Sequence, residues 1–159
     1  METPTPLHET DGIDHINVYS KGRTDLGRAL SNFAGIGFKH PTFGYFASME
    51  AYWYYVKSGM RHEFLRRLYG FSAKSAGAKL EPVMIEEQQF RDHICEGLRC
   101  KITQNKTLLQ TLLSNDLPLR HYYVYGNGHN AKITEKKDQN WIVEYIEQLA
   151  QTLRNEKKQ

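Results

Sequence analysis

The sequence predicts an α+β domain, mainly helical, and three observations carry that prediction. Apolar residues recur at helical spacing along two long stretches: Phe90, Ile94, Leu98 and Ile102 in one, and Trp141, Ile142, Tyr145, Ile146 and Leu149 in the other. Two short stretches, His15–Ser20 and Leu119–Tyr125, instead alternate or gather β-branched and aromatic residues, as strands do. The length of 159 residues suits one compact domain.

In chain order, residues 1–12 hold two prolines and no apolar rhythm, and read as a flexible tail. The domain is expected over 13–153. It opens with the His15–Ser20 strand, followed by a turn-rich stretch from Lys21 to Gly27 and irregular chain around Ser31–Gly35. Phe43–Phe46 reads as a second strand or an extended entry. Ser48 then precedes Met49–Lys57, the N-cap signal of a helix, and Gly59 marks its stop. A helix is expected over Arg61–Tyr69, ending at Gly70. A small-residue helix should cover Ser72–Lys79, and the longest helix Glu86–Ile102. Thr107–Leu113 is helical in pattern, Leu119–Tyr125 is a strand closed by Gly126-Asn127-Gly128, and Asn140–Leu153 is an amphipathic closing helix. Residues 154–159 are polar and expected to fray.

Composition narrows the function classes. Two cysteines, Cys95 and Cys100, are too few for a disulfide scaffold, and their spacing is no zinc pattern. A reducing, cytoplasmic compartment is expected. No apolar run reaches 18 residues, so no membrane partner is expected. Seven histidines are scattered without helical pairing, so neither a metal nor a cofactor is expected. The net charge of +3, from 21 basic and 18 acidic residues, does not make nucleic acid the default partner. One segment is biased: Lys57, Arg61, Arg66, Arg67, Lys74 and Lys79 face only Glu63, which is either a phosphate-receiving surface or a solvated face.

Three groups can carry chemistry. Glu50 sits in the first turn of a helix capped by Ser48, with Tyr52, Trp53, Tyr54 and Tyr55 after it. The helix dipole favours an ionised carboxylate there, and such a group can stabilise a cationic transition state or activate water. Flat rings nearby can stack a base. Acids also occur in first turns because they stabilise helices, and aromatic clusters commonly form cores. Ser31-Asn32-Phe33 is the second group: an asparagine can hold a ribose hydroxyl or a phosphate, or simply shape a turn while Phe33 fills the core. The third is His121–Gly128. Alternation sends Tyr122 and Val124 to one face and His121, Tyr123 and Tyr125 to the other.

These groups, in this order, resemble the NADAR (NAD- and ADP-ribose-associated) family, which includes the YbiA-like N-glycosidases. The resemblance rests on Ser31-Asn32-Phe33, on Ser48-Met49-Glu50 with Tyr52 and Trp53, on Lys101-Ile102-Thr103-Gln104-Asn105 with the leucines after it, and on Tyr125-Gly126 before the closing helix. It covers about Ile16 to Leu153. Four features differ from the family pattern: Ala51 stands where the family has a histidine, Tyr122 where it has an acid, a family tryptophan has no counterpart near Glu81 to Gln89, and the family's K-N-R is reduced to Asn140-Trp141.

The resemblance implies a compact, mostly helical α+β fold and N-glycosidic bond hydrolysis without a metal. The implied substrates are a phosphorylated ribosylamine or ADP-ribose on guanine, with nucleic acid as a carrier of the modified base. Glu50 takes the catalytic role. Ser31, Asn32, Phe33, Tyr125 and Gly126 fall on substrate-binding positions. Tyr45, Trp53 or Tyr125 can cover a ring, and Lys57, Arg61 or Arg66 can meet phosphate. The rival expectation is a protein that binds ADP-ribose or a nucleotide without cleaving it.

Overall fold

Among the described residues, six α-helices and six short strands follow from local signals that the sequence carries unevenly. The computed structural model describes residues 4–158, so the first three residues of the expected tail and Gln159 lie outside the described residues. The chain divides into two compact units. One is continuous, Asn32–Leu109; the other combines the segment up to Ser31 with the segment from Gln110.

The continuous unit is built around helix α2 (Met49–Lys57). Ser48 starts it: its Oγ accepts from the Ala51 N–H at 3.1 Å and donates to the Leu68 carbonyl at 2.8 Å. That ties the cap to chain twenty residues on. Strands β2 (Phe38–His40) and β3 (Gly44–Phe46) precede α2 as an antiparallel hairpin. His40 Nδ1 accepts from the Thr42 and Phe43 N–H groups and so holds the turn. After α2 come α3 (Gly70–Ala78) and the long α4 (Glu87–Gln104), whose N-cap is the Glu86 carboxylate. Helix α5 (Lys106–Ser114) carries the chain from one unit into the other.

Helix α2 buries Met49, Ala51, Tyr52, Tyr55 and Val56, and two glycines let its neighbours approach. A Cβ at Gly77 of α3 would stand 2.1 Å from the Tyr54 ring, and one at Gly97 of α4 would stand 2.5 Å from the Tyr52 ring. Tyr52 cannot yield, because its ring is fully buried and its hydroxyl donates to the His93 carbonyl at 2.8 Å. Gly97→Ala is therefore expected to destabilise the protein by about 1–3 kcal/mol through overpacking, despite alanine's better helix propensity. Urea unfolding checks this; an unchanged midpoint would show that α4 stands off from α2.

The other unit holds helix α1 (Asp25–Leu30), the parallel pair β1 (Ile16–Asn17) and β4 (Leu119–Arg120), the hairpin β5 (Tyr122–Tyr125) and β6 (Lys132–Glu135), and helix α6 (Asn140–Lys157). Asn17 stitches the strands from its side chain, donating to the Tyr122 carbonyl and accepting from the Tyr122 N–H, each at 3.0 Å.

The mainly helical α+β class agrees with the sequence reading, and several element assignments are corrected. The expected tail is structured from Leu7: Leu7–Thr10 form a 3-10 helix, and the buried Asp11 carboxylate accepts from the Asn17 and Arg23 N–H groups at 2.9 and 2.8 Å. An acceptor that braces two backbone sites orders the chain leading to it. The expected fraying at 154–159 fails for the described part, since α6 runs to Lys157. The Arg154 guanidinium donates to the carbonyls of Leu112, Leu113 and Asn115, capping the end of α5. The turn-rich stretch before Gly27 contains the start of α1, capped by Thr24 Oγ accepting from the Gly27 N–H. Arg61–Tyr69 is not an α-helix but a 3-10 helix over Glu63–Arg67, and Gly70 begins a helix rather than ending one. Among the described residues no helix is long and apolar enough to cross a membrane.

Candidate functional site

Residues 32 and 33 are clamped between the starts of two helices. The Glu50 N–H, in the first turn of α2, donates to the Asn32 carbonyl at 2.9 Å, and the Gly70 N–H, at the start of α3, donates to the Phe33 carbonyl at 3.0 Å. Gly70 takes φ +57°, a left-handed conformation that glycine adopts freely. Helix α3 has no side-chain cap and no acid in its first turn, so its N-terminal end adds uncompensated positive potential beside this loop. Lys74, one turn into α3, places Nζ 6.0 Å from the centroid of the Phe33 ring.

Glu50 is half-buried, and no hydrogen bond among the described residues reaches its carboxyl. Burial pushes that carboxyl up from 4.5 to about 7, with the Lys74 ammonium pulling the other way. The expectation that the helix dipole keeps Glu50 ionised is thereby corrected. Water is withdrawn from the group and nothing donates to it, so the dipole does not prevail. Tyr54, one turn further along α2, has its phenol raised by burial and by the Glu50 charge. A carboxyl that titrates near neutrality, accessible and unpaired, is a competent general acid or base.

The structure thus brings Asn32, Phe33 and Glu50 together. It disperses the other expected residues of this unit. Trp53 packs edge-on against Phe90 of α4, ring centroids 4.9 Å apart. Tyr45 is exposed and lies over Gly37, where a Cβ would stand 2.8 Å from its ring. Lys57 closes α2 with Nζ 5.9 Å from the Tyr54 ring, and Arg61 is exposed beyond the helix. Arg66 is structural: its guanidinium lies 4.7 and 5.0 Å from the Phe46 and Tyr55 rings, pairs with Glu63 and donates to the Tyr45 carbonyl. Tyr52 and Tyr55, three apart on the same face of α2, are core residues, while Trp53 and Tyr54 between them point elsewhere.

Ser31, Tyr125 and Gly126 belong to the other compact unit. Ser31 caps α1, its Oγ donating to the Arg28 carbonyl at 2.8 Å. Tyr125 is 55% exposed at the end of β5, and Gly126 takes φ +88° in the turn toward β6. That unit also contains a cavity of about 290 Å³, lined by Asn115, Asp116, Pro118, Glu147, Gln151 and Arg154 among others. None of the expected site residues lines it. Sequence reasoning counted Lys74 only within a basic stretch; once α3 is placed with Gly77 against Tyr54, the same register carries Lys74 toward Glu50.

No family model matches the chain, and no curated protein matches it. Among solved structures, the NMR structure of the E. coli protein YbiA matches with a TM-score of 0.67 and 23% sequence identity, covering 94% of this chain and 94% of that one. The chain is similar to that protein in fold, and the expected YbiA-like α+β architecture is borne out.

Proposed function

We propose that this YbiA-like fold houses an N-glycosidase, acting in the cytoplasm, that hydrolyses an N-ribosyl bond in a nucleotide-like or ADP-ribosylated substrate. One observation carries the reading: the half-buried, unpaired Glu50 carboxyl, raised to about 7, beside the clamped Asn32-Phe33 loop. As the C1–N bond breaks, positive charge develops on the ribose. The ionised Glu50 stabilises it electrostatically and takes a proton from the water that attacks C1, while the departing base gains its proton from solvent. Asn32 has donor and acceptor capacity for a ribose hydroxyl, and Lys74 is the nearby cation for a phosphate. Incubating the protein with ADP-ribosylated guanosine and with phosphorylated ribosylamines, and separating the products, tests the reading. Released base supports it; quantitative recovery of intact compounds overturns it.

In this mechanism the ionised form is the active one. Below about pH 7 the folded Glu50 binds a proton, so log kcat/KM should rise with unit slope up to about 7 and level off above it. A profile falling through the same pH would assign Glu50 as the acid instead.

A second reading has its own support. Ala51, which follows Glu50 in α2 and stands where the resembled pattern has a histidine, is fully buried. A Glu50 site without that histidine suits a protein that binds ADP-ribose or a nucleotide and releases it intact.

A further inference from the structure

Two of the most exposed rings in the chain stand on either side of one glycine. Tyr69 is 59% exposed and Phe71 is 74% exposed, in a unit that buries Phe38, Phe46 and Tyr52 almost completely. Leaving such rings in water forgoes the free energy that drives the others inward. The backbone explains their position: Gly70 turns the chain at φ +57° while its N–H is held by the Phe33 carbonyl, so both neighbours stay outside the core.

The Tyr69 ring nevertheless rests against the chain. It lies over Gly35, where an added Cβ would meet its Cδ2 at 3.2 Å and its Cγ at 3.4 Å. The loop 32–35 therefore touches Glu50 through Asn32, α3 through Phe33, and Tyr69 through Gly35. Cations lie along the same stretch: Lys74 beside the Phe33 ring, and exposed Arg67 two residues before Tyr69 in the chain. Exposed rings on a stretch that also carries cations complement a ligand that is flat and anionic together. The rings of α2 cannot serve, since Tyr52 and Tyr55 are buried, Tyr54 is closed over by Gly77 and Trp53 packs on Phe90.

We propose that Tyr69 and Phe71 are specificity-determining residues of the Glu50 site, forming a wall on which the base of an anionic nucleotide stacks. This rests on the reading of the site as one for an N-ribosyl compound. Stacking reads the area of a ring rather than its hydrogen-bonding edge, so the site should rank ligands as purine, then pyrimidine, then no base.

Calorimetric titration with guanosine 5′-monophosphate, cytidine 5′-monophosphate and ribose 5-phosphate tests it. The wild type should bind the guanosine nucleotide about ten- to a hundred-fold more tightly than ribose 5-phosphate. The double variant Tyr69→Leu/Phe71→Leu should bring that ratio close to one and leave ribose 5-phosphate affinity unchanged; both residues are exposed, so the fold tolerates the change. Gly35→Val, which pushes the Tyr69 ring off the loop without removing it, should cut the ratio partway. A ratio that survives the double variant, or a wild type that binds all three alike, overturns the proposal. Base-dependent binding without release of base from any N-ribosyl compound leaves the wall standing and removes the hydrolytic reading. Hydrolysis with KM unchanged in the double variant does the reverse.

Discussion

Glu50→Gln should lower kcat for N-ribosyl hydrolysis by at least about 10²–10³-fold, while the Kd of an uncleaved nucleotide changes only modestly. The substitution keeps the shape of the side chain and removes its charge. A neutral amide cannot balance the cation that develops at C1, nor can it accept a proton from water. Removing one preorganised electrostatic partner costs about 2.7–4 kcal/mol of transition-state stabilisation, which gives the expected range. Contacts made equally in the ground state survive, so binding is spared. Equal rates for wild type and variant would make Glu50 an ordinary first-turn acid. Glu50→Ala tests the same point less cleanly, because it also opens space in the first turn of α2.

The same substitution should make the protein more stable, increasingly so with rising pH. In the unfolded chain a glutamate loses its proton near 4.5; in the folded chain Glu50 holds it to about 7. Below 4.5 both states are protonated and burial carries no charge penalty. As pH rises from 4.5 through 7, the unfolded state gains its favourable ionised form first. The wild type therefore loses stability over that window and regains none above it. Each pH interval of one between the two values is worth about 1.4 kcal/mol, giving on the order of 3 kcal/mol in all. Solvent reaching the half-buried carboxyl makes this an upper bound. Urea midpoints of wild type and Glu50→Gln should thus agree at pH 4.5 and separate in favour of the variant at pH 8. A variant less stable at pH 8 would restore the helix-stabilising role. Gain of stability with loss of turnover in one substitution distinguishes a group held for chemistry from one held for folding.

What the sequence made legible depended on how local each signal was. Helix α2 carries its own start in Ser48 and its own stop at Gly59, and its observed bounds are Met49–Lys57, as read. Helices α4 and α6 announced themselves through long periodicity. Strands β2 and β6 were missed because three or four residues establish no period, and their pairing lies in the partner strand. Gly70 was read as a terminator because a glycine after a periodic stretch usually is one. Its positive φ instead serves a bond to Phe33, a residue far back in the chain. The candidate site divides along the same line. Glu50 and Asn32 were singled out from local pattern and resemblance. Lys74, Tyr69 and Phe71 needed the placement of α3, which no local pattern supplied. The run Tyr52–Tyr55 misled because sequence adjacency on a helix means angular separation.

The division of the chain has a consequence for the order in which it becomes a protein. Asn32, Phe33, Glu50, Tyr69, Phe71 and Lys74 all lie in the continuous unit, and their contacts close over modest stretches of chain. The discontinuous unit closes only when Ile16 finds Leu119, a loop that encloses the whole of the other unit. Chain-closure entropy makes such a pairing slow, whereas nearby contacts form early. During synthesis, the segment holding Glu50 can acquire its shape while the ribosome is still adding the strand that Ile16 awaits. A nascent chain stalled after α5 already carries Asn32, Phe33, Glu50, Tyr69, Phe71 and Lys74.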